Sequence, residues 1–155
     1  MKLYILRHAK ADWLDWTGDD DARPLNKKGQ KQARRIGKLL RKHDVAPDAL
    51  LASPLPRGLE TAEIVAKKLD ATAIADAALS PGFDLEKLAA ILAARRDAGS
   101  IMLVGHEPDL SKIIRQLTGG IVKLPKGAVA CLESTETAEK NSARLLWLLT
   151  QKLCK

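Results

Sequence analysis

Arg7 and His8 are the residues whose types and position in this chain most directly suggest a chemical role. They follow Leu3–Leu6, a short apolar run with an aromatic and a β-branched residue, which predicts a buried strand. In an open α/β sheet, ligands bind at the carboxyl ends of the strands. A guanidinium fork matches phosphate oxygens, and a neutral imidazole nitrogen can attack phosphorus. The pair therefore suggests phosphoryl chemistry.

Two further apolar runs, Ala49–Ala52 and Ile101–Val104, are followed by side chains suited to the same chemistry. Those side chains are Ser53, Arg57, His106 and Glu107. If the three runs are parallel strands, their ends face one edge of the sheet, so two arginines and two histidines would converge on one pocket. Such a pocket would hold a nucleophile together with cations that stabilise the transferring oxygens.

Helical patterns separate these strands. The predicted helices are Lys27–His43 with Asn26 as N-cap, a helix that follows Arg57 and runs to about Leu69, one around Leu85–Leu92, and Leu110–Leu117. Ala128–Leu132 and Ala143–Leu149 predict two closing strands, with a terminal helix as the alternative for the second. Strands that alternate with helices predict an α/β fold. We expect a mostly parallel central sheet with helices on both faces and closing strands that could be antiparallel at one edge.

Each candidate residue also has an ordinary structural interpretation. His8 and Arg7 could be surface residues at the end of a strand. Arg57 could form an ion pair with Glu60 in the first turn of a helix, and His106 could be a helix-start residue satisfied by the backbone. Taken singly, these interpretations are favoured for most of the residues. Taken together they are weaker, because the same placement at a strand end recurs three times.

Three motifs of the chain occur in an order typical of one known family. They are Leu-Arg-His at Leu6–His8, Ser-Pro-Leu-x-Arg at Ser53–Arg57 followed by Glu60-Thr61-Ala62, and Val-Gly-His at Val104–His106. With Arg23-Pro24-Leu25 ahead of the first helix, the chain resembles the histidine phosphatase superfamily, whose fold is phosphoglycerate mutase-like. Its Arg-His-Ala-Lys and Gly-His-x-Pro-x-Leu forms are more specifically similar to the small bacterial phosphohistidine phosphatases of the SixA type. The resemblance spans residues 1 to about 118.

The resemblance implies a role for each matching residue. His8 would be the phosphorylated nucleophile, and Arg7, His8, Arg57 and His106 would bind the phosphoryl group. Ser53 would help to position the pocket. No metal and no other cofactor is implied, because the cationic side chains take the place of a metal and no His/Cys/carboxylate spacing suggests a site.

The general acid is the role that the motifs leave open. Mutases of the superfamily use a glutamate between the second arginine and the second histidine, an interval in which this chain has Asp84 and Glu86. Phytase-like members use the acidic residue right after the second histidine, here Glu107, which could equally complement the dipole of the following helix. An imidazole, with a reference pKa of about 6.5, leaves with less help from an acid than an alkoxide does. We therefore expect a preference for phosphohistidine or other activated leaving groups.

The function that these observations predict is phosphohistidine phosphatase activity on phosphoproteins of signalling or phosphotransfer, through a covalent intermediate on His8. A small-molecule phosphomonoesterase on the same fold is the alternative, and a non-catalytic phosphate-binding module is a further one. The complete set of two arginines and two histidines argues against the non-catalytic module. Phosphate or sulfate is expected to fit the same site.

The composition and net charge of the chain limit the chemical classes of partner that are expected. The chain has 155 residues, a hydrophobic content of 46% and a net charge of +7, which predicts one globular domain over residues 1–155 that favours anionic partners. The helix Lys27–His43 carries many of these cations. They form either a solvated face or a docking surface for an acidic phosphoprotein. Nucleic acid is not expected, because aromatic residues make up only 3% of the chain and no recognition motif occurs.

Three features complete the expectations from sequence. Cys131 is predicted to pack as a small buried hydrophobe and Cys154 to be exposed, with no disulfide. No signal peptide and no apolar run long enough for a membrane span is visible, so a cytoplasmic location without membrane contact is the default expectation. In the polar loop of residues 11–25, Trp13 and Trp16 are expected to pack on the core rather than line the pocket.

Overall fold

The structure is a computed structural model that describes residues 1–154. A single six-stranded sheet has the order β3-β2-β4-β1-β5-β6. Its strands are β1 Lys2–Arg7, β2 Ala49–Ala52, β3 Ala73–Ala75, β4 Ser100–Gly105, β5 Val129–Ser134 and β6 Ala143–Leu149. The four strands from β3 to β1 are parallel, while β5 pairs antiparallel with both β1 and β6. The predicted mostly parallel sheet with antiparallel closing strands is therefore confirmed.

Three α-helices connect the parallel strands, and a fourth leads from β4 to the antiparallel strand β5. They are α1 Lys27–Lys42, α2 Pro56–Leu69, α3 Leu85–Ala93 and α4 Asp109–Thr118. The predicted N-cap of α1 is confirmed, because the Asn26 side chain accepts a hydrogen bond from the Gly29 N–H at 2.8 Å. Pro56 stands at the start of α2, where its missing N–H costs no helical hydrogen bond. Within residues 1–154, no helix is both long and apolar enough to cross a bilayer.

The parallel strands bury both of their faces. Along β1, Leu3 and Ile5 point into one apolar cluster with residues of α3 and α4, whereas Tyr4 and Leu6 point into a second cluster with residues of α1 and α2. This alternation follows from the two-residue period of a strand. Because both faces are covered, the polar residues that end these strands project beyond the carboxyl edge of the sheet.

The structure differs from the sequence analysis at three points. The short edge strand β3, Ala73–Ala75, was not predicted, because three small and weakly apolar residues carry no periodic signal. Cys154 is buried rather than exposed, since the chain end turns back onto the cluster that contains Leu40 and Trp147. Trp13 is 45% exposed and Trp16 is half-buried, and neither belongs to an apolar core cluster of residues 1–154, so the expected packing of both on the core is not observed.

Two further expectations are confirmed. Cys131 is a buried free thiol in the middle of β5. The segment 143–149 is a strand and not a helix, because its main chain pairs with β5 from Val129 to Ser134.

Candidate active site

The ends of β2, β4 and β1 lie side by side at the carboxyl edge of the sheet. In the parallel register, β4 stands between the other two strands. The pairing continues past the strands, because the His8 N–H donates to the Gly105 carbonyl at 3.1 Å and the Ser53 N–H donates to the Val104 carbonyl at 2.9 Å. The three motif segments therefore converge, as parallel strand ends require.

His8 is held with one ring nitrogen engaged and the other free to react. Its side chain is buried, and Nδ1 lies 2.8 Å from the Ala9 carbonyl oxygen. A carbonyl can only accept, so Nδ1 carries the proton and Nε2 of the neutral ring keeps its lone pair. Burial and, to a smaller extent, the positive charges of His106, Arg57 and Arg7 together lower the pKa of His8 to about 3, against the opposing hydrogen bond to the Ala9 carbonyl. The imidazole is therefore neutral at physiological pH, with a lone pair on Nε2 that could attack phosphorus.

His106 faces His8 across the site. The ring centroids are 5.2 Å apart and the ring planes are tilted by 52°. Nε2 of His106 lies 2.7 Å from the Ser53 hydroxyl, which also accepts from the Leu55 N–H at 3.2 Å. His106 Nδ1 is buried and has no hydrogen-bond partner within residues 1–154. If the Ser53 hydroxyl donates to Nε2, Nδ1–H is left as a buried donor for an anionic ligand.

Burial, together with the positive charges of Arg57 and Arg7 and against the negative charge of Asp109, lowers the pKa of His106 to about 4. Both histidines are therefore neutral in the free protein, and the arginines carry the positive charge of the pocket. An incoming phosphate would meet fixed guanidinium groups and neutral imidazoles, which is a suitable combination for nucleophilic attack at phosphorus.

The two arginines are anchored by main-chain carbonyls and not by carboxylates. Arg7 Nη1 donates to the Leu124 carbonyl at 3.1 Å, and its Nε is buried without a partner within residues 1–154. Arg57 Nη1 donates to the Asp20 carbonyl at 2.9 Å. Burial lowers the pKa of each guanidinium, but an arginine side chain stays charged at physiological pH even so. Carbonyl anchors hold the forks in place without neutralising them, so the charge remains available to a phosphoryl group.

The ion pair between Arg57 and Glu60 that the sequence left open is not formed. Within residues 1–154, no salt bridge involves Arg57, and the Glu60 carboxylate accepts from the Leu25 N–H at 3.0 Å instead. Glu60 therefore holds the segment that precedes α1 against the N-terminal half of α2.

Thr61 is a supporting residue whose role the sequence analysis did not identify. Its hydroxyl accepts from the Ala9 N–H at 3.0 Å and donates to the Arg57 carbonyl at 2.7 Å, and the residue is fully buried. Ala9 also provides the carbonyl that holds His8. One hydroxyl thus links the nucleophile loop to the helix that carries the second arginine. The Glu-Thr-Ala motif contained Thr61, but no sequence signal indicated this partner.

Arg23 is a second such residue. Its N–H donates to the same Asp20 carbonyl that accepts from Arg57 Nη1, so the two residues meet at one oxygen. Arg23 Nε is buried without a partner within residues 1–154, and Nη1 lies 3.8 Å from Asp12. Asp12 is already bound by Lys126 at 2.6 Å. The positive charge of Arg23 adds to the burial that lowers the pKa of Arg57. A fifth basic side chain therefore stands at the margin of the pocket.

The three carboxylates that the sequence offered as the general acid all stand at the start of a helix. Both oxygens of Glu107 face the first turn of α4, where they accept from the Ser111 N–H at 3.0 Å and from the Ser111 hydroxyl at 2.6 Å. This is the helix-start role that the sequence left as an alternative for Glu107. Its negative charge is nevertheless felt at Arg7. Asp84 caps α3 by accepting from the Lys87 N–H, and Glu86 lies in the first turn of α3.

The loop of residues 11–25 contacts the candidate site through the Asp20 carbonyl, which accepts from Arg57 Nη1 at 2.9 Å. Trp13 Nε1 donates to the Pro24 carbonyl at 2.9 Å, and Trp16 Nε1 donates to the Asp19 carbonyl at 3.0 Å. In the part of the chain that the structure describes, no group of three His, Cys, Asp or Glu side chains is arranged as metal ligands.

Comparison with known proteins assigns the chain to a family. The family model of the histidine phosphatase superfamily (branch 1) matches residues 3–81. An uncharacterised protein of Picosynechococcus is 32% identical over 160 residues, which cover 97% of this chain and 96% of that protein. This chain therefore belongs to the histidine phosphatase superfamily.

Two further comparisons describe its relatives. Phosphoglycerate mutase 1 of Saccharomyces cerevisiae is 40% identical over 72 residues, which are 44% of this chain and 29% of the mutase, so the match spans less than a third of that enzyme. A solved structure of the protein histidine phosphatase SixA complexed with tungstate is similar over 100% of both chains, with a TM-score of 0.87 and 25% identity.

Proposed function

We propose that this protein is a phosphatase that removes phosphoryl groups from phosphohistidine side chains of proteins through a covalent intermediate on His8. The observation that carries this proposal is the neutral, buried imidazole of His8, whose Nδ1 is tied to the Ala9 carbonyl and whose Nε2 is left free. The similarity to a protein histidine phosphatase over the whole chain supports it.

The reaction would proceed in two displacements. In the first, His8 Nε2 forms a bond to phosphorus while the bond to the substrate imidazole breaks, and the leaving nitrogen takes up a proton. In the second, water attacks the phosphorus, the bond between phosphorus and His8 Nε2 breaks, and a proton of the water is lost to solvent, which releases inorganic phosphate and restores the neutral imidazole of His8. The guanidinium groups of Arg7 and Arg57 would stabilise charge on the equatorial oxygens in both steps, with His106 Nδ1–H as a further donor.

We infer the substrate class from the lack, among the described residues, of a carboxyl group that is placed to protonate the leaving group. The one acidic residue next to the second histidine, Glu107, has both oxygens engaged with Ser111. An alkoxide leaving group would need a well-placed acid, whereas an imidazole with a pKa of about 6.5 needs little help. We therefore expect phosphoramidates to be turned over in preference to phosphate esters.

The test is single-turnover labelling with several phosphoryl donors. The protein is mixed with a ³²P-phosphohistidine peptide or with a panel of sugar phosphates and other phosphate esters, quenched in alkali, and separated by mass. The expected result is an acid-labile label on His8 from the phosphohistidine peptide. The absence of label from every donor would refute the proposal that the protein is an enzyme that acts through His8. Equal turnover of sugar phosphates would refute the proposed preference for phosphohistidine.

Matched variants make the test specific. His8→Ala should abolish turnover while the fold is retained, whereas His43→Ala should leave turnover unchanged, because His43 is an exposed residue at the end of α1. Arg57→Gln should lower kcat by roughly 10²–10³-fold, the usual loss when one preorganised donor to the transition state is removed.

A further inference from the structure

The outer surface of α1 is a continuous basic face. The helix has 16 residues, and none of them is acidic. Its eight basic residues define the basic face: Lys27, Lys28, Lys31, Arg34, Arg35, Lys38, Arg41 and Lys42. All are exposed except Arg35, which is half-buried.

These cations point away from the core and form a band along the helix. At 3.6 residues per turn they cover roughly 140° of the helix circumference and extend over about 22 Å. The buried residues of α1, which include Ala33, Ile36 and Leu40, lie on the opposite side. The exposed side has no apolar residue between the cations.

The fold itself makes little use of this charge. Within residues 1–154, the only member of the basic face with an acidic partner is Arg41, which pairs with Asp70. Lys27 and Lys28 stand in the first turn of the helix, where positive charge opposes the helix dipole and where no acid compensates. Like charges also recur at spacings of three and four residues, which destabilises a helix.

The basic face begins beside the candidate active site. The first turn of α1 packs directly on Lys10, two residues after His8. The Asn26 N–H donates to the Lys10 carbonyl at 3.1 Å, and the Lys10 N–H donates to Gln32 at 2.9 Å. A methyl group built on Gly29 would lie 1.9 Å from the Lys10 oxygen, so only glycine permits this approach.

We propose that the basic face of α1 is the docking surface for an acidic segment of the protein substrate, which it holds beside the pocket that receives the phosphohistidine. This inference rests on the proposed function. Charge complementarity selects an acidic protein as the occupant. A membrane surface is disfavoured, since the exposed side of α1 offers no apolar group for insertion. A nucleic acid is disfavoured by the scarcity of aromatic residues, 3% of the chain.

The test compares two variants that remove the same charge. The docking variant replaces Lys27, Lys31, Lys38 and Lys42 by Gln. The control variant replaces exposed cations outside α1, on or near α3 and α4 and in the turn between β5 and β6, by Gln: Lys87, Arg96, Lys112 and Lys140. The probes are free phosphohistidine and two phosphohistidine peptides of equal length, one with glutamate flanks and one with glutamine flanks.

The wild type should prefer the glutamate-flanked peptide. In the docking variant kcat/KM for this peptide should fall by about tenfold and lose much of its dependence on salt. Turnover of free phosphohistidine and of the glutamine-flanked peptide should change by less than about twofold, and the control variant should behave as the wild type. An equal loss in both variants would show that only net charge matters and would overturn the proposal, as would the absence of any preference in the wild type.

Binding separates docking from catalysis. Fluorescence anisotropy measures the affinity of each variant for the unphosphorylated glutamate-flanked peptide, for a DNA duplex and for phosphatidylserine vesicles. Loss of peptide binding in the docking variant alone supports the proposal, even if the wild type turns over no phosphohistidine and the proposed function fails. Tighter binding of DNA or vesicles than of the peptide, lost in the docking variant, would assign the basic face to a different partner and overturn the proposal.

Discussion

Replacement of Thr61 by Val tests whether one hydroxyl couples the nucleophile loop to α2. Valine has nearly the same shape as threonine but cannot accept the hydrogen bond from the Ala9 N–H, 3.0 Å away. Ala9 and Thr61 are both fully buried, so water cannot replace the lost acceptor. An unpaired buried N–H costs about 1–3 kcal/mol. For a domain of this size, we expect a fall in Tm of about 2–12 °C.

The same substitution should lower the rate. Ala9 carries both the N–H that Thr61 binds and the carbonyl that orients His8 at 2.8 Å. If Ala9 shifts, His8 Nε2 is displaced from its line of attack, and kcat should fall about ten- to a hundredfold while KM changes little. Thr61→Ser, which keeps the hydroxyl, should restore most of kcat.

The matched control is Thr118→Val in α4. The Thr118 hydroxyl makes the same pair of bonds, donating to the Ile114 carbonyl at 2.7 Å and accepting from the Gly120 N–H at 3.1 Å, but the second bond is exposed. Water can satisfy the Gly120 N–H, so this variant should lose less than about 1 kcal/mol and keep its activity. Chemical denaturation and steady-state kinetics measure both effects. Equal free energies of unfolding and equal kcat for Thr61→Val and Thr118→Val would refute the reasoning.

Three further predictions use the same structure. Gly29→Ala should destabilise the protein by about 1–3 kcal/mol, although alanine favours helices, because the added methyl would lie 1.9 Å from a backbone oxygen. Gly120→Ala, whose methyl has room, is the control in urea unfolding, and equal stability of the two variants would contradict the prediction. Ser53→Ala should lower kcat about tenfold, because it removes the partner of His106 Nε2 at 2.7 Å. Unchanged kinetics would show that Ser53 does not orient this ring. Between pH 6.5 and about 3 the unfolded chain protonates His8 and the folded chain does not, so stability falls as the pH falls. His8→Asn should make this fall shallower in urea titrations, and an unchanged slope would argue against the depressed pKa.

Most helices and strands of the fold could be predicted from local sequence patterns. The run Leu3–Leu6 is apolar at every position because both faces of a parallel strand are buried, and Asn26 announces α1 because its side chain satisfies a free N–H in the first turn. The edge strand β3 and the burial of Cys154 could not be predicted from sequence. Both depend on what the folded chain places beside them, and neither has a signal of its own.

The sequence by itself determined the chemistry of the candidate site. Arg7, His8, Arg57 and His106 could be selected because parallel strands end at one edge, whatever the details of packing. Only the tertiary structure decided the state of these groups. Burial makes His8 neutral, the Ala9 carbonyl decides which nitrogen is free, and Thr61 reaches that loop across 52 residues of chain. A residue type and its spacing specify which atoms can react. Protonation, orientation and support depend on neighbours that are distant in sequence, and the sequence alone does not identify those neighbours.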